Sequence, residues 1–345
     1  MRNKLFILWR RARVLLSILF CKLTGKRVPV IVYLYPTYKC NLRCVYCLVD
    51  HNVKVKEMDK DRLIQLVDEL ASMGTRMIVF LGGEFSIVPG IEEVVDRILE
   101  KGMVCDAVTN AILLPKKLKL FKKLDSICIS MDGIGESNDI TRGKGSSKKI
   151  LNAIHIAKKE GIPVRINCVI TKYNRHTYKQ LLEWAKENNI LVTFGMPFED
   201  EIKDILLDEK EMREFYKELI QLKEKGYPIL FSYNAVEYML NYPGSPSAFI
   251  MKDQINNVNI HKRYKNRCPY GNFIAYIHSD GMLLPCNNLY KLRKKGVNIC
   301  EVGVKKAWDS FAEMDCLACY EAGIPEWNFI TSFKGILKGI SITLK

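Results

Sequence analysis

Two rhythms alternate along this chain: short apolar runs, then polar stretches with apolar residues at helical spacing. Val28 to Tyr35 is apolar and β-branched and reads as a buried strand. Asp59 to Met73 follows with Leu63, Leu66, Val67 and Leu70 on one helical face. Further strands are expected at Arg76–Leu81, Val104–Val108, Ser126–Ser130, Val164–Ile170 and Leu191–Phe194. Helices are expected at Pro89–Lys101, Pro115–Lys123, Ser146–Glu160 and His176–Asn188. Pro89 suits a first helical turn, and Gly161 suits a C-terminal cap. Strands that alternate with helices argue for a parallel α/β sheet. Polar and glycine-rich segments fall just after the strands: Cys40–Cys47, Gly82-Gly83-Glu84, Thr109-Asn110, Asp132-Gly133 and Thr171. In parallel sheets and barrels the site lies at the C-terminal strand ends, so these segments are expected on one rim.

The rhythm changes near Asp200. Glu201 to Lys225 is charged and helical, and Pro243-Gly244-Ser245-Pro246 breaks the chain. Phe273–His278 and Met282–Pro285 flank Ser279-Asp280-Gly281, the mark of a hairpin. Neither internal repeats nor low-complexity segments stand out.

Composition narrows the picture little: 345 residues, 48% hydrophobic and 26% charged, suit a globular protein with a full core. Charge says more. Of the formal +15, eight positive charges lie within residues 1–27, which hold no acid. Residues 4–23 read as an apolar helix interrupted by Arg10, Arg11 and Arg13. Those arginines oppose a membrane span, since each costs about 2.5–3.5 kcal/mol at a bilayer centre. The uninterrupted apolar stretch is short for a signal peptide. Leu5, Leu8, Trp9, Leu15, Leu16 and Leu19 share one arc, with basic residues over most of the other side. This suits a helix lying in an anionic membrane interface. The alternative is a helix packed on the body of the protein or on a second subunit. Charge alone makes a weak case for nucleic acid.

Twelve cysteines in a chain of this size, clustered at short spacings, point to metal in a reducing cytosol and away from a disulfide framework. Cys40, Cys44 and Cys47 have the spacing C-x3-C-x2-C. Three thiolates so close suit an iron–sulfur cluster with one iron open to a small molecule. Cys21, Cys105, Cys128 and Cys168 sit in apolar stretches and read as inert buried thiols. The five histidines lack metal spacing with one another.

These residues together resemble the radical S-adenosylmethionine (radical SAM) superfamily. The carriers are the cysteine triplet, the aromatic Tyr46 before its third member, and Gly82-Gly83-Glu84 at the end of the second strand. The resemblance covers roughly residues 28–197 and implies an α/β fold, a partial (β/α)6 TIM-like barrel. It implies a [4Fe–4S] cluster on Cys40, Cys44 and Cys47 that binds S-adenosylmethionine at its open iron. Reductive cleavage then yields a 5′-deoxyadenosyl radical that takes a hydrogen atom from substrate. By motif, Gly82, Gly83 and Glu84 would meet the methionine moiety, with Glu84 at its ammonium. Tyr46 would lie near adenine, and Ser130 would contact the cofactor. Arg142 would meet the carboxylate, and Asn167 the ribose. A flavodoxin or ferredoxin would supply the electron.

Cys268, Cys286, Cys316 and Cys319 resemble the auxiliary-cluster region of SPASM and twitch radical SAM enzymes. No cysteine follows Cys319, which implies one auxiliary [4Fe–4S] cluster; structural zinc is the alternative, with Cys300 as a stand-in ligand. The expected division is residues 1–27 basic amphipathic helix, 28–199 barrel, 200–260 helical linker, 261–330 auxiliary-cluster domain and 331–345 tail. The expected substrate is bulky, a peptide or protein or a membrane-associated lipid. The expected location is the cytoplasm, peripheral at the inner face of the membrane. The absence of a clamp domain before the barrel weighs against a dedicated peptide enzyme, and no cobalamin-binding domain is evident. The competing reading is an iron–sulfur electron-transfer or redox-sensing protein without SAM chemistry.

Overall fold

The computed structural model describes residues 4–47, 49, 51–197, 204–242, 249–251, 269–286, 296–311, 316–320, 323–330, 332 and 335. A helix, α1 (Lys4–Thr24), leads into β1 (Ile31–Leu34). Then come α2 (Lys60–Met73), β2 (Met77–Phe80), α3 (Ile91–Glu100), β3 (Val104–Thr109), α4 (Leu118–Lys123) and β4 (Ser126–Ser130). They are followed by α5 (Glu136–Arg142), α6 (Ser146–Lys159), β5 (Val164–Val169), α7 (Tyr178–Glu187) and β6 (Leu191–Gly195). Next are α8 (Glu209–Glu224), α9 (Tyr233–Leu240), β7 (Phe249–Met251), β8 (Ile274–Ile277), β9 (Met282–Leu284) and β10 (Val297–Asn298). The series ends with α10 (Ile299–Val302), α11 (Val304–Asp309), β11 (Cys316–Cys319) and α12 (Gly323–Ile330).

Strands β1 to β6 pair in chain order, all parallel, as a six-unit partial (β/α) barrel. Each strand splits its side chains between two layers, because successive residues face opposite ways. Val32, Leu34, Ile78, Phe80, Cys105, Ala107, Ile127, Ile129, Ile166, Cys168, Val192 and Phe194 share one core with the surrounding helices. The alternate positions face the barrel interior. There Ile31, Tyr35, Val79 and Val104 form a second core with Val14, Ile18 and Cys21 of α1.

The expected hairpin forms, and it is joined to the barrel: β8 pairs parallel with β1, and β9 and β10 extend the same sheet antiparallel. The charged helix expected from Glu201 begins later. Asp208 and Glu211 make a reciprocal capping box that fixes the start of α8.

Helix α1 packs on the body, and its arginine side faces inward. Arg10 is buried, pairs with Asp125 and donates to Met103 O at 2.8 Å. Arg11 pairs with the buried Asp106 at 3.0 Å. These partners stand at or near the N-terminal ends of β3 and β4, so α1 crosses the end of the barrel away from the motif-bearing rim. Arg10 and Arg11 therefore neutralise buried carboxylates, as suits the alternative of a helix packed on the body of the protein. Leu5, Phe6, Trp9, Leu16, Phe20 and Leu23 face outward, 48% to 78% exposed.

Candidate active site at the strand ends

The cysteine loop follows β1 and is tied down at both ends. Gly83 N–H donates to Thr37 O and Glu84 N–H donates to Lys39 O, each at 2.9 Å. A Cβ on Gly83 would stand 1.9 Å from Lys39 O, and one on Gly82 2.6 Å from Thr37 O. Gly82 also has φ +100°, a conformation that disfavours other residues. Both glycines thus let the second strand end lie directly on the root of the loop. Glu57 fastens the same root: it accepts from Tyr38 N–H at 2.6 Å, from the Thr37 hydroxyl at 2.9 Å, and from Ser279 Oγ at 3.2 Å. Ser279 belongs to the β8–β9 turn, and His278 Nδ1 beside it hydrogen-bonds Tyr38 Oη at 2.9 Å. The C-terminal hairpin therefore braces the loop.

Within the loop, Cys47 N–H donates to Cys44 O and Val45 N–H to Thr141 O. Leu42 N–H points at Cys40 Sγ at 3.4 Å and Asn110 Nδ2 at the same sulfur at 3.8 Å. Arg142 Nη1 lies 3.9 Å from Cys44 Sγ. Burial pushes all three thiols up, Cys44 to about 11, with Arg142 opposing and the other two cysteines and Asp132 reinforcing. Bound iron would supply the positive charge that stabilises their thiolates. No group of three ligating side chains among the described residues encloses a single metal ion. A four-iron cluster spaces its thiolates more widely than one ion does.

Glu84 is fully buried beneath this loop. Its oxygens accept from Ser86 Oγ (2.6 Å), Thr109 Oγ1 (2.9 Å) and Asn110 N–H (3.0 Å). Burial pushes its carboxyl up while these bonds hold it down. All the donors are neutral, and no ion pair to Glu84 occurs among the described residues. A buried carboxylate with neutral donors only fits a cationic ligand group such as an ammonium. Three thiols with hydrogen-bond donors aimed at sulfur likewise fit thiolate ligation of a cluster.

Residues 34–185 match the family model described as the radical SAM superfamily. This stretch carries a radical SAM domain. The chain is 31% identical over 215 residues to Fe-coproporphyrin III synthase of Methanosarcina barkeri, covering 58% of this chain and 54% of that one. It is 35% identical over 170 residues to GTP 3′,8-cyclase of Clostridium perfringens, covering 46% and 52%. The chain thus spans about half the length of these curated relatives. Among solved structures, Streptococcus suis SuiB bound to S-adenosylmethionine superposes with TM-score 0.65 at 16% identity, covering 85% of this chain and 69% of that one. SuiB bound to its precursor peptide SuiA gives 0.63 at 16%, covering 84% and 66%. These likenesses carry the fold. The matched family implies a [4Fe–4S] cluster and S-adenosylmethionine.

Within the radical SAM domain the remaining motif residues gather on the same rim. Ser130, the last residue of β4, and Asn167 of β5 are register partners. Asn167 Oδ1 accepts from Thr193 Oγ1 at 3.0 Å. Tyr46 Oη donates to Asp132 Oδ2 at 2.5 Å, and the Arg142 guanidinium lies over the Tyr46 ring. Arg142 is committed to Asp132 through Nε (2.8 Å) and Nη2 (3.0 Å). Asp132 is the residue on this rim that sequence reasoning left without a role. Fully buried, it also accepts from Thr141 Oγ1 (2.8 Å) and Val169 N–H (2.9 Å), so it joins the cysteine loop, α5 and β5. Its place after β4 in Ser130-Met131-Asp132-Gly133 was the available signal.

Of the second cysteine set, Cys286 and Cys319 are buried in the same core as the barrel interior. Cys268 lies outside the described residues, and Cys316 is described only as backbone of β11. Cys300 is exposed, behind the Gly281 turn.

Proposed function

We propose that the C-terminal rim of the barrel binds a [4Fe–4S] cluster through Cys40, Cys44 and Cys47 and holds S-adenosylmethionine against it. The observation that carries this is the three-thiol loop seated on Glu84, a buried carboxylate in need of a cation. The cluster and cofactor, when bound, supply reductive cleavage to a 5′-deoxyadenosyl radical that removes a hydrogen atom from substrate. The chain's part is placement. Glu84 takes the cofactor ammonium, while Tyr46, Ser130 and Asn167 line the nucleoside side. Arg142, held by Asp132, presents Nη1 toward Cys44 and the cofactor carboxylate. Gly82 and Gly83 keep this floor close to the loop. A flavodoxin- or ferredoxin-type protein donates the electron.

Cys268, Cys286, Cys316 and Cys319 are assigned to one auxiliary [4Fe–4S] cluster, with zinc as the competing occupant. The burial of Cys286 and Cys319 in one core supports a shared site. In this reading the chain divides into residues 1–27, 28–199, 200–260, 261–330 and 331–345, with the auxiliary site on the fourth part. Anaerobically loaded protein with two cluster equivalents of iron supports this, and one equivalent with zinc favours the alternative.

The substrate is read as a peptide or protein, or a lipid, met at an anionic membrane surface. SuiB, a neighbour in fold, binds a precursor peptide. The outward ridge of α1 favours the surface. No described helix is long and apolar enough to cross a membrane. Six large apolar side chains nevertheless face outward along 21 residues with no acid among them. Arg13 and Lys26 flank the ridge, stacked on Trp9 and Phe20. Such a helix lies in a headgroup interface. The triple substitution Trp9→Ser, Leu16→Ser, Phe20→Ser leaves Arg10 and Arg11 in place. It should weaken binding to phosphatidylglycerol vesicles at least about tenfold; unchanged binding contradicts the surface reading.

A further inference from the structure

The barrel interior has two walls of different character. Ile31, Tyr33, Tyr35, Val79 and Tyr276 make an apolar wall on β1, β2 and β8. The opposite wall carries Asp106 on β3, Ser126, Cys128 and Ser130 on β4, and Arg165 and Asn167 on β5. On the second wall Asp106, Ser126 and Cys128 are buried, and water reaches the two arginines. The Arg165 side chain keeps 32% of its exposure and the Arg11 side chain 34%, although both reach Asp106 at 1%.

The charges there do not balance. Asp106 takes two hydrogen bonds from Arg11, at 3.0 and 3.3 Å. That leaves Arg165 with Asp106 at 4.0 Å, a long bond to Ser126 Oγ at 3.3 Å and the thiol of Cys128 beside it. One carboxylate thus faces two guanidinium groups, and the second is held mainly by the neutral groups of Ser126 and Cys128. Arg165 is the register partner of Cys128, and Asn167 that of Ser130. Arg165 therefore lies one inward position, about 7 Å, below the Ser130–Asn167 layer.

From this juxtaposition we propose that Arg165 and Arg11 form an anion subsite in the barrel interior, which takes a carboxylate or phosphate group of the substrate. The planar fork of Arg165 suits either oxyanion. The subsite rests on the radical SAM reading only for the statement that substrate enters the interior. It sets substrate polarity: the reacting carbon sits near the rim, and the anionic group reaches down toward α1. Asp106 tunes the site by offsetting one of its two positive charges.

The test uses the full chain, cluster-loaded under anaerobic conditions, in equilibrium dialysis against radiolabelled inorganic phosphate and, separately, succinate. Saturable binding of one anion is expected. Phosphate binding points to a phosphorylated substrate and succinate binding to a carboxylate. Arg165→Gln should weaken it about tenfold or more, and Asp106→Asn should strengthen it. Should Arg165→Gln fail to fold, Asp106→Asn decides alone. Binding of neither anion to the native chain, equal binding by Arg165→Gln, or weaker binding by Asp106→Asn would overturn the proposal. Release of 5′-deoxyadenosine is scored on the same preparation. Its absence speaks against the catalytic reading and leaves the dialysis result to judge the subsite.

Discussion

Asp132→Asn is the most informative single change, because one side chain joins three parts of the site. The substitution keeps shape and removes charge. In the native chain Asp132 accepts from Tyr46, Thr141, Arg142 and Val169, with none of its surface exposed. The Arg142 side chain is only 6% exposed. Removing one member of a buried pair leaves the other charge uncompensated, at a cost of about 3–5 kcal/mol. The new amide NH2 would also face a ring of donors. Against a total stability of roughly 5–15 kcal/mol, that loss is large. A drop in the melting temperature of about 5 °C or more is expected. Because Tyr46 loses its anchor, iron should also leave the reconstituted protein faster under chelator. Adding Arg142→Met removes the orphaned charge and should restore much of the melting temperature, though not the iron retention. A loss under about 1 kcal/mol, or a double variant as unstable as the single one, would refute the reasoning.

Glu84→Gln places an amide NH2 against donors from Thr109 and Asn110 and removes the counter-charge for an ammonium. S-adenosylmethionine binding, followed by equilibrium dialysis, should weaken about tenfold or more; unchanged affinity would remove Glu84 from the cofactor site. Glu218 joins α8 to α7 through Arg175, Tyr178 and Lys179. Partial burial pushes its carboxyl up, but these hydrogen bonds prevail and hold it down to about 2. A depressed carboxylate stabilises the fold above its unfolded value near 4.3 and loses that contribution as pH falls toward 2. Glu218→Gln should therefore flatten the melting-temperature profile over that window. At neutral pH it should cost about 1 kcal/mol after solvent screening. An unchanged acid limb would contradict the assignment.

How much was legible in the sequence depended on the range of the interactions. The six βα units were visible because helix and strand periodicity is local, and Ser126–Ser130 is the observed β4. Asp59 does cap α2, accepting from Arg62 N–H. Helix α5 escaped notice because Glu136–Arg142 is polar, with one large apolar residue, Ile140, and that one exposed. The sheet position of β8 was hidden because parallel pairing with β1 joins segments some 240 residues apart. Arg10 reads as a solvated charge until Asp125, 115 positions later, is placed against it. The thiols and the Gly-Gly-Glu segment stood out by spacing, and the fold brings the two segments together. Asp132 did not, because Tyr46 of the cysteine loop and Val169 of β5, which give it meaning, lie far from it in sequence.

The central claim is that this rim cleaves S-adenosylmethionine. Native protein, reconstituted with iron and sulfide without oxygen, should release 5′-deoxyadenosine and methionine when given dithionite and S-adenosylmethionine. Cys40→Ala, Cys44→Ala and Cys47→Ala should each release none. A reduced cluster that leaves S-adenosylmethionine intact, or cleavage that survives loss of any one of the three thiols, would contradict the account.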